Sequence, residues 1–343
     1  MNQAPPQTLM EMEARETPAV AARIVARQGE RLKELAARLR AASPRFALAA
    51  GRGSSDAAAL LAKYLFEMQL GLPTVSVAPS VHSIYGARLR LEAALLLAIS
   101  QSGRSPDLVD FCHSATGKEI LRVGLINDLA SPLADAVDFP ISLEAGLERS
   151  VAATKSCIAA MVEVLGLVAH WRQDRDLIAG FERSPLVLAA ALLQDWSSGK
   201  GFLDGDGPVY VVGRGPGLAI AAEAALKLKE TNGLHAEAVS AAEIRHGPLA
   251  LAGPELRVIV LAQRDAALEG LLQTAADLGQ RGSQVMLISA GAQTPTAIEP
   301  DAEPTLELLA MLLRFYLFAN EAAIRRGRSP DHPPMLTKVT ETR

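Results

Sequence analysis

The sequence predicts an α/β protein made of two tandem, doubly wound parallel-sheet units related by internal duplication. Three observations carry that reading. Short apolar strands alternate with segments of helical period, and successive strands are separated by helices rather than hairpin turns. The second half also repeats the first at a shift of about 162 residues without a gap.

In chain order, apolar residues at helical spacing over 18–42 predict a first helix, ended by Ala41-Ala42-Ser43-Pro44. The apolar run 46–50 predicts a strand. The turn Gly51-Arg52-Gly53-Ser54-Ser55-Asp56 leads from it into a helix over 57–70. Gly71-Leu72-Pro73 stops that helix, because glycine takes a left-handed cap and proline cannot continue the ladder. Strands follow at 74–77, 94–100 and 121–126, with a helix over 105–116 between the last two. Strands of this kind, apolar throughout, suit a parallel sheet covered on both faces.

At the shift of about 162, Gly51-Arg52-Gly53 falls on Gly213-Arg214-Gly215 and Gly71-Leu72 on Gly233-Leu234. Gln101 falls on Gln263, and Val123, Leu125 and Ile126 fall on Val285, Leu287 and Ile288. A register kept from strand to strand points to gene duplication. The helical segment 150–171 and the stretch 184–196 join the copies, with 197–201 as linker; 305–325 is a closing helix. The expected division is a helical arm (1–44), a first unit (45–196), a second unit (197–327) and an irregular, proline-bearing tail (328–343).

Composition excludes several classes of function. The formal net charge is −4, from 34 basic and 38 acidic residues, and aromatic residues make up only 4%, so no nucleic-acid partner is expected. No apolar run reaches the ~18 residues of a membrane span, so no membrane partner is expected either. Cys112 and Cys157 stand in no metal-binding spacing and read as small buried hydrophobes. With no signal peptide recognisable at the N-terminus, a cytoplasmic location is expected. The Gly51-Arg52-Gly53 turn fails the dinucleotide pattern, since Asp56 takes the place of its last glycine, and GxxxxGKS, HExxH and GxSxG are missing. No cofactor and no metal are therefore expected.

The chemistry should lie where the two copies differ. The first ends a strand with Ser100-Gln101-Ser102-Gly103-Arg104-Ser105; the second has Ala262-Gln263-Arg264-Asp265-Ala266-Ala267 there. Three hydroxyls and a glycine between a buried strand and a helix N-terminus can cradle a phosphate, although a serine-rich cap would look the same. The second copy instead carries Glu223, Lys227 and Glu230 on one expected helix over 217–231, where the first has Leu61, Leu65 and Met68. His246 likewise stands where the first copy has Ile84. Taken singly, these read as a solvated ion-pair face and a structural histidine. Together, opposite a phosphate cradle, they suggest a base, a lysine and a histidine gathered around a sugar phosphate.

These segments resemble the sugar isomerase (SIS) family, in the tandem form found in the isomerase half of glucosamine-6-phosphate synthase and in stand-alone glucosamine-6-phosphate deaminases. The matching pieces are Ser100-Gln101-Ser102-Gly103, Val151-Ala152-Ala153-Thr154-Lys155, Ala225-Leu226-Lys227-Leu228-Lys229-Glu230, the stretch from His235 to Ala250, and Leu336-Thr337-Lys338-Val339-Thr340. The resemblance implies two flavodoxin-like units and a small-molecule sugar-phosphate substrate. It implies that Glu230 shuttles a proton between C1 and C2, that His246 opens the sugar ring from the neighbouring subunit of a homodimer, that Lys227 lies in the site, and that Lys338 can form a Schiff base. It assigns substrate and phosphate contacts to Gly51, Arg52, Gly53, Ser54, Ser100, Gln101, Ser102, Ser105, Val151, Ala152 and Ala153. The synthase has serine at Ala153 and threonine-serine at Arg52-Gly53, and it carries a glutaminase domain that is not expected here. The reaction implied is conversion of glucosamine 6-phosphate to fructose 6-phosphate and ammonia. Fructosamine-6-phosphate deglycation, galactosamine-6-phosphate deamination and non-catalytic sugar-phosphate sensing are the alternatives.

Overall fold

The computed structural model describes residues 7–290, 296–298 and 303–338. Residues 1–6 of the expected arm and 339–343 of the expected tail, including Val339 and Thr340, lie outside the described residues. The chain forms two compact units that are interleaved along the sequence. Of the described residues, one holds Ala19–Gly146 and Ser156–Pro185; the other holds those up to Pro18, those of Leu147–Lys155 and those of Leu186–Lys338.

Helices α1 (Leu9–Arg15) and α2 (Thr17–Ala42) open the chain. The first sheet unit then runs β1 (Phe46–Ala50), α3 (Ser54–Leu70), β2 (Thr74–Ser76), the short α4 (Ser80–Ser83), β3 (Ala94–Ser100), α5 (Pro106–Ser114), β4 (Leu121–Ile126), α6 (Pro132–Asp135) and β5 (Phe139–Ser142). Helices α7 (Lys155–Arg172) and α8 (Arg175–Ala191) follow. The second sheet unit runs β6 (Val209–Gly213), α9 (Gly217–Lys227), β7 (Ala236–Ser240), β8 (Arg257–Ala262), α10 (Leu268–Gln280), β9 (Gln284–Ala290), β10 (Thr296–Ile298) and α11 (Pro304–Arg325).

All strand pairs are parallel. The strand orders are β2-β1-β3-β4-β5 and β7-β6-β8-β9-β10, so the two copies share one doubly wound topology. Every residue of β3, β6 and β8 is buried, as expected of central strands with both faces covered. In the first unit Leu48, Leu96, Phe111, Ile126 and Leu133 belong to one core; in the second Val212, Val258, Val260, Leu271 and Leu278 belong to another. Close packing of strand end against helix is duplicated too. A Cβ on Gly51 would sit 2.4 Å from the Ser55 carbonyl oxygen, and one on Gly213 would sit 2.3 Å from the Gly217 oxygen.

Several elements differ from expectation. The helix expected over 217–231 ends at Lys227 and gives way to a π turn, Leu228–Asn232. The helix expected over 150–171 begins only at Lys155, and the stretch 184–196 belongs largely to α8, which starts at Arg175 and continues through Pro185. The edge strands β5 and β7 are not among the expected strands: neither is apolar throughout, and β5 contains Pro140, which is tolerated at a sheet edge. Both cysteines are buried, and burial pushes the Cys112 thiol up to about 12, which removes it as a nucleophile near neutral pH.

Helix α7 carries one anomaly. Glu163 is fully buried, and neither of its carboxylate oxygens accepts a hydrogen bond among the described residues. Burial, reinforced by the Glu144 charge, holds this carboxyl well above the usual range. The folded state therefore retains a proton that the unfolded state releases, and stability falls as pH rises from the unfolded value through the folded one. Glu163→Met should raise the melting temperature at pH 4, where it relieves roughly 1–3 kcal/mol of unmet polar burial, and raise it further at pH 8, where the parent has also lost the stability of its retained proton. Equal shifts at both pH values in thermal melts would refute this.

Candidate functional site

In the first unit, the chain crosses from β3 to α5 at the point where the strand order reverses, beside the loop that leaves β1. Crevices of this kind are where open α/β sheets hold ligands. Gly103 makes the crossing possible: its φ of +64° is left-handed, and a Cβ there would lie 1.9 Å from Ser131 Oγ. The Ser100 hydroxyl accepts the Gly103 N–H at 2.9 Å, and the Ser102 hydroxyl accepts the Arg104 N–H at 3.2 Å. Each hydroxyl thus uses a lone pair to shape the loop and keeps its proton to donate. Ser105 precedes α5 without capping it through its side chain, Gln101 is half-buried, and Pro106 occupies the first turn.

Arg52 completes this half. Its Nε donates to Asp107 Oδ2 at 2.9 Å, and its Nη2 also contacts that oxygen. Asp107 lies in the first turn of α5 and is buried, whereas Arg52 is partly exposed. The arginine neutralises an acid that would otherwise repel an anion at this helix N-terminus. Gly53 and Ser54 pass directly into α3, and the Cys157 thiol donates to the Ser54 carbonyl at 3.4 Å. Arg104 turns away, to Asp128 at 2.8 Å, and holds that carboxyl below its usual range.

The second unit carries the ionisable cluster. Lys227 and Glu223 are both 0% exposed, and the Lys227 ammonium stands 3.5 Å from Glu223 Oε1. The π turn brings Glu230 back onto the same ammonium, with 18% of the Glu230 side chain exposed. Tyr316 Oη, on α11, donates to Glu223 Oε1 at 2.9 Å. Taken alone, this helix reads in the sequence as a solvated ion-pair face; in the structure it is a buried triad. Glu230 opens onto a cleft of about 450 Å³ that is also lined by Lys229, Gly233, Arg328, Pro334 and Leu336. The base and part of the tail therefore share one cavity.

The loop before α7 and the tail also meet in this unit. Lys338 Nζ donates to Glu148 Oε2 at 3.0 Å, and Glu148 Oε1 accepts the Thr154 N–H at 3.0 Å. Asp331 accepts the Leu9 and Met10 N–H groups with its carboxylate, both at 2.8 Å, and the Val151 N–H with its backbone oxygen at 3.3 Å. Lys338 is thereby tied through Glu148 to Thr154, and Asp331 holds Val151 of the same loop. Beside it, Glu13 accepts the backbone N–H groups of Arg149 and Ser150, yet burial holds its carboxyl above the usual range. His246 ends a 3₁₀ turn, is exposed, and makes no hydrogen bond to Glu230 among the described residues. Glu148, Asp107 and Tyr316 were not singled out in the sequence, because each acts through a partner remote along the chain.

Residues 43–169 and 205–311 match the SIS domain family. The chain belongs to that family. Among curated SIS relatives, it is 31% identical over 313 residues to the glutamine–fructose-6-phosphate aminotransferase (isomerizing) of Aeropyrum pernix. The match covers 85% of this chain and 50% of that protein, so the chain spans about half the length of the relative. The structure superposes on a candidate phosphosugar isomerase of Silicibacter pomeroyi DSS-3 with a TM-score of 0.88 and 37% identity, covering 95% of this chain and 100% of that one. It also shares its fold with glucosamine-6-phosphate deaminase of Thermotoga maritima, at a TM-score of 0.74 and 21% identity, over 94% and 100% of the two chains.

A buried ammonium between two carboxylates makes a prediction for this SIS unit. Lys227→Met strips Glu223 of its cation and should cost about 3–5 kcal/mol, read as a lower melting temperature. Adding Glu223→Gln should restore most of the loss. A single variant as stable as the parent would mean that the triad is not a buried ion-pair system.

Proposed function

We propose that the protein is an isomerising amino-sugar-phosphate deaminase that converts glucosamine 6-phosphate to fructose 6-phosphate and ammonia. The observation that carries this reading is Glu230, a carboxylate open to a cleft and backed by the buried ammonium of Lys227. Proton exchange between adjacent carbons needs one base that can hold the proton, and a cation to stabilise charge as the enolamine forms. Kinship with the phosphosugar isomerase candidate of S. pomeroyi and with the isomerizing aminotransferase of A. pernix supports the substrate class.

In this mechanism the pyranose opens with His246 as acid–base group, and Glu230 takes the proton from C2. O1 gains a proton, giving a C1–C2 enolamine. Glu230 then delivers its proton to C1 while the nitrogen loses one, leaving an imine at C2. Water adds at C2 and ammonia departs, which gives the ketose. The 6-phosphate is assigned to the Ser100 and Ser102 hydroxyls, the half-buried Gln101, Ser105, and the N–H groups that open α5, with Arg52 cancelling the Asp107 charge beside them. Lys338 and the Val151–Ala153 segment are assigned to the opened chain. We assign His246, exposed and unbonded to Glu230, to the site of a second copy in a homodimer.

A panel of glucosamine, galactosamine and fructosamine 6-phosphates, with ammonia release as readout, tests the reaction. Glucosamine 6-phosphate should be turned over fastest, and in deuterated water the product should carry deuterium at C1. Glu230→Gln should lower kcat by roughly 10²–10⁴ while KM stays within a few-fold. Normal turnover in that variant would remove Glu230 from the chemistry.

The phosphate assignment has its own check. Ser100→Ala with Ser102→Ala removes two donors to a dianion, at roughly 1.5–3 kcal/mol each, and should raise KM with little change in kcat. An unchanged KM would move the phosphate elsewhere.

A further inference from the structure

We infer that Tyr316 is a positioning residue for the proton transfer: it holds Glu223 as the carboxylate that neutralises Lys227, so that Glu230 remains a base strong enough to take the substrate proton. The inference deepens the function proposed above and rests on Glu230 being the base. It is carried by four groups in one line of contact. The Tyr316 hydroxyl donates to Glu223 at 2.9 Å, Glu223 stands 3.5 Å from the Lys227 ammonium, and that ammonium contacts Glu230. Tyr316, Glu223 and Lys227 are all 0% exposed, so the protein itself must settle their charges.

One ammonium faces two carboxylates. If Glu223 took up a proton, more of the Lys227 charge would act on Glu230 and make it a weaker base. A hydrogen bond donated to the ionised form of a carboxyl favours that form, and a phenol at 2.9 Å supplies one where water has no access. With Glu223 held ionised, Lys227 is already compensated on its buried side. Glu230, at the open end, is then the member left to exchange a proton. The first copy has leucine at the positions of Glu223 and Lys227, so the arrangement belongs to the second copy alone.

The other charged or titratable groups on the elements packed around α9 are exposed or have partners away from the triad. On α11, Glu307 binds Arg264 at 2.7 Å, Arg314 donates to the Gln194 carbonyl at 2.8 Å and faces Glu321 at 3.9 Å, and Arg325 donates to Asp204 at 3.1 Å. Arg257 of β8 is directed to the Phe202 and Gly207 carbonyls, and Glu237 of β7 is exposed. Tyr210 of β6 is held above its usual range by burial and by Glu237. Lys229, next to Glu230, is exposed.

The decisive experiment compares wild type, Tyr316→Phe and Glu223→Gln in two readouts. In kcat–pH profiles, Tyr316→Phe should lower plateau kcat about tenfold, leave KM unchanged and move the acidic limb to lower pH. Glu223→Gln should move it further in the same direction. In NMR titrations with ¹³C-carboxyl-labelled glutamate, the signal lost in Glu230→Gln should titrate at lower pH in both variants. That readout needs no turnover. A downward NMR shift in a chain inactive on every sugar phosphate would sustain the role of Tyr316 and overturn the proposed reaction. Deaminase activity with neither readout moved would overturn the role and spare the reaction. If Tyr316→Phe does not fold, Glu223→Gln decides: an unmoved Glu230 titration there overturns the inference.

Discussion

An ammonium withdrawn from water sets the terms for the second unit. Lys227 sits at the last helical position of α9, and its charge is compensated by Glu223 one turn back and by Glu230, folded onto it from the far side. The second contact depends on the π turn, a rare departure from helical geometry found mostly at functional positions. The turn is itself secured, by Thr231 bonding the Lys227 carbonyl at 2.8 Å and Asn232 bonding the Ala319 carbonyl of α11 at 3.1 Å. Helix α11, buried nearly all round, supplies both that anchor and Tyr316. Charge, helix end and closing helix form one mutually dependent set.

Duplication left the two copies with the same burial and different chemistry. Leu61 and Leu65 are as buried as Glu223 and Lys227, while Met68 and Glu230 both keep some exposure. Ionic residues thus stand in the second copy at buried helix positions that the first copy fills with leucine. The strand-end loops show the reverse. In the second copy Gln263 turns inward to the Arg214 carbonyl at 3.0 Å and Arg264 is engaged by Glu307, so that loop is occupied by the protein's own partners. In the first copy the serine hydroxyls serve only as acceptors within their loop. One loop is closed by side chains from elsewhere in its unit, and the other is shaped by its own serine hydroxyls.

The central strands were legible because a strand covered on both faces must be apolar throughout; β1, β3 and β4 have the limits expected from their sequences. The left-handed cap at Gly71 was legible for a stereochemical reason, and it takes φ +63°. The end of α9 was not, since nothing in an apolar period distinguishes an α turn from a π turn. Burial of Glu223 and Lys227 could have been read from Leu61 and Leu65, had the repeat been trusted over the usual behaviour of charged helix faces. The pairing of Lys338 with Glu148 joins residues far apart in sequence and had no local signal. The same holds for Arg52 with Asp107, where only the sheet topology brings the loops together.

Asp331 gathers the beginning of the chain, the segment before α7 and the tail at a single residue. That bears on how the molecule is made. On a ribosome, which extends the chain at roughly 5–20 residues per second, domains fold as they emerge. The described parts of the first unit have all been synthesised once Pro185 is added, so its sheet can close while translation continues. The second unit cannot be finished in this way. Its helix Leu9–Arg15 begins 322 residues before Asp331, whose carboxylate binds the helix start. Translation order thus places the pocket holding Glu230 after both sheets, since it closes only once Leu336 has left the exit tunnel.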